Sequence, residues 1–345
     1  MDEAALARDF EEAVYHIEHH NNDLNFVGKF ALSEVTREHG YKVVLTGEGS
    51  DEQFGGYAWY LGDYLREEDK AMDGGLHLTL EQRKQVTAEQ DEVIRKMWAG
   101  MCGFSQFFDE KSLVNQLNWT STPAAMSACN PLLSIFSPSV RQQYTGIDIL
   151  SIVHNNIDEF INTKMQNQWH PLHSAMYTWG KGWLANQLLS CLGDRVEMAH
   201  SIEARTPFLD HKLTEYINGL PPSMKMRYSP VDGHGTDNLS KADFIEKYAL
   251  REATKDFITP EIYTRRKQPY IAPTSYPPNG PMHKLLVKII VKENVENLGF
   301  LDWQVVQPML DRAFDGEKRT IEFRHCLCIA EWIVLSKRFK VARAD

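Results

Sequence analysis

The sequence predicts an α/β protein with few strands and a large, mainly helical remainder. Three observations carry that reading. A β-branched run, Val43-Val44-Leu45, empties into a glycine-bounded polar loop from Thr46 to Tyr57, as a buried strand empties into a binding loop. Two helical patterns and a glycine precede it, which is the rhythm of an α/β sheet. After residue 57 no long strand run recurs, while apolar residues keep helical spacing toward the C-terminus.

The elements follow in order. Phe10, Val14 and Ile17 fall on one face of a helix over 4–20. His16 and His20, four apart, could share a face with His19 nearby, but no carboxylate or cysteine pattern completes a metal site, and a solvated polar face is the favoured reading. Phe30, Ala31 and Val35 mark a helix over 27–39, with Gly40 as its stop. Helices are expected at 59–70 and 79–99, around a glycine-containing break at 71–77. More are expected near 105–117, 138–144 and 147–165. Residues 173–192, with Met176, Trp179, Trp183, Leu184, Leu188 and Leu189, read as a core helix. Phe244, Tyr248, Ala249 and Leu250 form a helical stripe within Lys241–Ala253. Thr259-Pro260-Glu261 starts a further helix, and Arg265-Arg266-Lys267-Gln268 is a short basic run. Helices over 282–294, 302–313 and 320–341 complete the chain.

The 345 residues allow one large domain or two ordinary ones. A hydrophobic content of 43% is enough for a sizeable core, and a net charge of −10 argues against nucleic-acid or anionic-membrane partners. The first ten residues show no secretory pattern, and no apolar run approaches a membrane span. Five cysteines are too few and too scattered for a disulfide framework. Cys326 and Cys328 are too close for ordinary zinc spacing and suit burial in a helix. The expected compartment is the cytosol.

The loop Thr46-Gly47-Glu48-Gly49-Ser50-Asp51-Glu52 holds three carboxylates within five residues, placed where open α/β sheets bind ligands. Gly47 and Gly49 let the backbone approach a ligand. The carboxylates would repel a phosphate unless Mg²⁺ stood between them, so a metal–phosphate site or a general acid–base site fits. A dinucleotide fingerprint does not, because its third glycine would fall at Glu52, and no Gly-Lys-Ser/Thr follows for a Walker loop. A glycine-rich turn with a solvated acidic tip fits these residues equally well.

Asp194–Asp210 packs Arg195, Glu197, Glu203, Arg205 and Asp210 among apolar residues. They could form a buried ion-pair network. They could also form a substrate pocket, in which arginine grips a carboxylate and an acid holds an amine. Lys247 alone reads as a surface lysine; beside a phosphate site it would neutralise charge on a leaving pyrophosphate.

Taken together, Thr46–Tyr57, Asp194–Asp210, Lys247–Ala253 and Arg265–Gln268 resemble, in order, four blocks of the synthetase domain of glutamine-hydrolysing asparagine synthetases. The β-lactam synthetases share the fold and much of the pattern. The resemblance implies a partial parallel-sheet core of the adenine nucleotide α-hydrolase (ATP pyrophosphatase) type, with residues 1–58 as its α/β part and 59–345 mainly helical. It implies ATP and Mg²⁺, activation of aspartate or a related carboxylate as an acyl-adenylate, and attack by ammonia drawn from glutamine by a separate domain or partner. By position, Thr46 and Gly47 would line the AMP site, and Glu48 would serve or orient the ammonia attack. Asp51 would bind Mg²⁺, Lys247 would hold pyrophosphate, and Glu203, Arg205 and Asp210 would sit in or behind the carboxylate pocket.

The chain departs from the family in several places. It contains no Ser-Gly-Gly-x-Asp-Ser pyrophosphate loop, residue 2 is Asp rather than a nucleophilic Cys, Thr46 replaces Ser, and Thr206 replaces Val. The sheet is therefore expected to lack its first strands, to expose an apolar edge and to self-associate. The isolated chain is expected to show no ATP–pyrophosphate exchange with aspartate. Three readings stay open: one piece of an asparagine-synthetase-type enzyme, a non-catalytic or partner-dependent member, and an amide-forming enzyme of small-molecule biosynthesis resembling the β-lactam synthetases.

Overall fold

The computed structural model describes residues 1–21, 23–71, 78–89, 92, 133–145, 152, 155–229, 244–268 and 270–344. Among these residues it is a mixed α/β structure, dominated by helices around two short two-stranded ribbons. Helix α1, Glu3–Ile17, starts where the Asp2 carboxylate accepts the Ala5 N–H at 2.9 Å. It stops at Glu18, which takes the left-handed conformation. The helix expected to residue 20 thus ends early, and His19 and His20 leave its axis. His20 packs against the Trp332 ring, and burial pushes its pKa down to about 4. It is therefore not on a solvated face. Among the described residues no three His, Cys, Asp or Glu side chains cluster to hold a metal. Helix α2, Asn25–Glu38, ends as expected before Gly40, whose φ of +83° a side chain would strain.

Strand β1, Val43–Leu45, runs parallel to β2, Glu203–Arg205, with Val44 opposite Ala204. The strand is where the sequence placed it, but it is not buried: Val43 is 41% and Leu45 74% exposed. Strand β2 is its one ladder partner among the described residues, so its other edge stays open. The pairing spans about 160 residues of chain, and the charged Glu203-Ala204-Arg205 carries no strand signal of its own.

The helix Pro171–Trp179 continues as a π-helical run, Gly180–Arg195, where an α-helix over 173–192 was expected. The expected helix over 241–253 is also corrected. Residues Phe244–Glu246 form β4, antiparallel to β3, Met226–Tyr228, and the helix begins only at Tyr248. Phe244 is buried against Tyr64 and Tyr228, and this cross-strand packing outweighs its helical spacing. Thr259 caps Pro260–Thr264 as expected. The helix expected over 282–294 is two, Pro281–Ile289 and Lys292–Leu298, parted at Ile290 where ψ reaches 75°. The helices Trp303–Ala313 and Thr320–Phe339 match expectation. The expected helix over 105–117, with parts of those over 79–99 and 147–165, lies outside the described residues.

One core joins α1 and α2 to the C-terminal helices through Phe10, Val14, Phe26, Leu286, Val306 and Leu327. A second gathers Tyr60, Tyr64, Leu172, Trp179, Met226 and Phe244. Cys191, Cys326 and Cys328 are buried and form no disulfide among the described residues, while Cys102 and Cys129 lie outside them. No helix among the described residues is long and apolar enough to cross a membrane.

Candidate functional site

The site is built at the carboxyl end of β1. The Thr46 N–H donates to the Arg205 carbonyl at 2.9 Å, which extends the ribbon by one residue. The chain then turns through Gly49, at φ +91°, into the short helix α3, Ser50–Phe54. A Cβ on Gly49 would meet Leu209 Cδ2 at 2.3 Å, so this glycine is required both by its backbone and by the neighbour it touches. Around Gly47, by contrast, no described residue lies within 4 Å of a would-be Cβ.

Helix α3 presents Asp51 to two lysines from distant stretches. Lys247 Nζ lies 2.8 Å from Asp51 Oδ1, and Lys267 Nζ lies 2.9 Å from Oδ2. Lys247 Nζ also donates to Ser50 Oγ at 3.0 Å. The lysine is aimed there by a special backbone: at the junction of β4 and the following helix it takes φ 54° and ψ 37°. Left-handed lysine costs about 1–3 kcal/mol and persists where the surroundings over-determine it, often at functional sites. Gly56 leaves room for the pair, since a Cβ there would stand 2.1 Å from Asp51 Oδ1 and 2.3 Å from Lys247 Cε.

Glu48 pairs with Lys29 of α2 at 2.9 Å, both side chains being largely covered. Glu52 is buried and accepts a hydrogen bond from the Tyr57 hydroxyl at 2.5 Å. Burial raises the Glu52 pKa, against the opposing pull of that hydrogen bond. The Tyr57 phenol is held well above its usual range by burial and by Glu52. Its ring lies under Lys267 Nζ, 5.8 Å from the ammonium, and stacks on Trp59.

The structure therefore gathers Thr46, Gly47, Glu48, Asp51 and Lys247. Glu203, Arg205 and Asp210 do not point into the same cluster. Glu203 and Arg205 pair with each other at 2.7 Å on the open face of the ribbon, more than half exposed, where water screens them. The two lower and raise each other's pKa by that hydrogen bond. Among the described residues, neither a buried network nor a closed pocket forms there. Asp210 caps the helix His211–Asn218, accepting from the Lys212 and Leu213 N–H groups. Lys267 and Lys29 were not assigned from sequence. The basic run Arg265–Gln268 was the signal for the first; Lys29 carries none, since a lysine on an amphipathic helix is ordinary.

A sequence model of the asparagine synthase family matches residues 1–332. The chain belongs to the asparagine synthase family. It is 36% identical over 344 residues to Amidase chyE of Penicillium rubens, covering 100% of this chain and 49% of that protein. It is 35% identical over 345 residues to Amidase chry2 of Gibberella zeae, with 100% and 49% covered. Asparagine synthetase [glutamine-hydrolyzing] 1 of Bacillus subtilis is more distant, 24% identical over 325 residues, with 92% and 43% covered. This family member thus spans about half the length of the curated relatives it matches.

The donor set suits a nucleotide. Thr46 Oγ1 is buried with no hydrogen-bond partner among the described residues, and the space beside Gly47 is open. Such a hydroxyl costs free energy unless something completes it. The set also suits Mg²⁺: Asp51 Oδ2 accepts from Lys267, while Oδ1 lies 2.8 Å from Lys247 Nζ yet accepts no hydrogen bond among the described residues, so both oxygens keep lone pairs, and Mg²⁺ is commonly held by one carboxylate with phosphate oxygens.

Proposed function

We propose that this chain carries the acidic-loop half of an ATP-dependent amide-forming site of the ATP pyrophosphatase type, acting on a carboxylic acid. The observation that carries the reading is the Asp51–Lys247–Lys267 cluster at the end of a parallel strand, beside the uncompleted Thr46 hydroxyl. ATP supplies the activation that makes a carboxylate oxygen a leaving group. Thr46 and Gly47 line the AMP side, Asp51 holds Mg²⁺, and Lys247 with Lys267 takes the negative charge of departing pyrophosphate. Glu48 orients the incoming nitrogen and is itself held by Lys29. Glu203 and Arg205, paired with each other, and Asp210, capping the following helix, stand behind the acid without gripping it. A phosphate cradle of the Ser-Gly-Gly-x-Asp-Ser kind is not encoded in these 345 residues, so complete turnover depends on one supplied by a further segment or partner.

Asparagine formation is the reading drawn from the distant synthetases. Amidation of another small acid is the reading drawn from the two proteins named amidases, which match the chain end to end. The second is favoured, because Glu203 and Arg205 neutralise each other instead of leaving free charges for both ends of aspartate. Calorimetric titration of the chain with magnesium pyrophosphate tests the site. Binding is expected in the wild type and at least tenfold weaker binding in Lys247→Met; equal affinity in both would remove the phosphate role of the cluster.

A further inference from the structure

A cavity separate from the Asp51 cluster is lined in part by α3. It has a volume of about 620 Å³ and is bounded by Glu52, Gln53, Trp169, Met176, Tyr177 and Leu184, with Lys225 and His173 in its wall. That volume is typical of small-molecule pockets. Trp169, Met176, Tyr177 and Leu184 supply its apolar wall, and Gln53, Thr214 and Asn218 add neutral polar groups. Lys225 is 2% exposed, and its single hydrogen bond among the described residues is a long one, 3.4 Å to the Gln53 carbonyl. No carboxylate lies within ion-pair distance of it among those residues. Burial lowers its pKa only to about 8, so it stays charged at neutral pH. A buried charge without a counter-charge costs several kcal/mol.

The neighbours favour an anion there. His173 Nε2 is buried and makes no hydrogen bond among the described residues. Its pKa is pushed down to about 3, by burial first and Lys225 second, so it faces the cavity as a neutral ring. Glu52 is already engaged by the Tyr57 hydroxyl, and burial favours its protonated form. Lys181 adds a second ammonium at the wall, 5.9 Å from the Tyr177 ring. Trp169 and Tyr177, in edge contact at 5.5 Å, form with Leu184 an apolar wall for a flat body whose negative end would meet Lys225.

We propose that this cavity binds a small carboxylic acid with an aromatic or bulky apolar body, whose carboxylate is the counter-ion of Lys225. The site is built from side chains other than those of the Asp51 cluster, so it fills without nucleotide. Isothermal titration of the full chain with 2-naphthoate, in the absence of nucleotide, tests this. Saturable binding is expected, at least tenfold weaker for the neutral isostere 2-naphthamide and for Lys225→Met. Lys225→Met replaces a buried cation by an apolar side chain of similar volume and should not lower the melting temperature. Ala185→Trp, at an exposed wall position, should also block binding, and Lys247→Met should leave it unchanged. Absence of 2-naphthoate binding to the wild type would overturn the proposal. So would amide and acid binding equally well, or wild-type affinity in both Lys225→Met and Ala185→Trp. Loss of pyrophosphate binding with intact 2-naphthoate binding would instead count against the amide-forming reading alone.

Discussion

Two glycines nine residues apart in the same loop should respond oppositely to a single methyl group. In Gly56→Ala the new Cβ would lie 2.1 Å from Asp51 Oδ1 and 2.3 Å from Lys247 Cε. Ordinary contact distances then require a shift of about 1 Å or more in one of them. The pair sits at 2.8 Å with side chains only 17% and 13% exposed. Parting the charges to about 4 Å, at an effective dielectric near 20, loses about 2 kcal/mol. Overpacking adds about 1–3 kcal/mol, and recovered hydration returns part of the sum. The net expectation is a loss of about 2–3 kcal/mol in urea unfolding, together with at least tenfold weaker pyrophosphate binding. The Gly56 backbone lies outside the left-handed region, so conformational strain does not confound the result. Gly47→Ala meets no described residue within 4 Å. It should keep wild-type stability within about 0.5 kcal/mol, the usual scale for changes without a packing or backbone conflict, yet weaken AMP binding by intruding on open space. If Gly56→Ala matches the wild type in both stability and pyrophosphate affinity, the Asp51–Lys247 pair is not held as described.

The remaining predictions concern charge, edge and turnover. His20 and His173, lowered to about 4 and about 3 from the usual 6.5, bind protons less readily folded than unfolded. Their contribution is intact above pH 6.5 and is lost as pH falls toward those values, about 2 kcal/mol each by pH 5. Glu52, Asp23 and Glu331 have raised pKa values and act with the opposite sign. The measurement is therefore the difference in urea stability between the wild type and His20→Leu, which should shift toward the variant between pH 7 and pH 5; a constant difference would refute the assignment. The exposed Val43 and Leu45 of β1, with Leu32 and Val35 exposed on α2, should drive concentration-dependent association in light scattering, reduced in Leu45→Lys; a monodisperse monomer would contradict it. The isolated chain should show no ATP–pyrophosphate exchange with aspartate, and exchange at a clear rate would show that the Ser-Gly-Gly-x-Asp-Ser loop is dispensable.

Short-range chemistry decided by the sequence alone includes the β1 run, the Gly40 stop, the Asp51-bearing loop and the helix starting at Thr259–Pro260. Each is set within a few residues, by a β-branched run, a glycine able to take positive φ, or a side-chain cap, so each was legible without a partner. The resemblance of four blocks also chose Glu48, Asp51 and Lys247 before any geometry was in hand. What the sequence could not decide was which far-separated charges meet. Lys247 reaches Asp51 across 196 positions because β3 and β4 end the chain's run there in a left-handed turn, where its apolar spacing had suggested continuous helix. Glu203 and Arg205 looked like pocket residues but became β2 through backbone pairing with β1, which left their side chains in solvent. Lys225 carried no motif at all; it became a buried cation with no carboxylate partner among the described residues only when Pro171–Trp179, the π-helical run and α3 closed around it. Local propensity depends on near neighbours, whereas the cost of a buried charge depends on everything packed around it. The tertiary structure alone therefore separates the lysines that can bind an anion from those that stay in water.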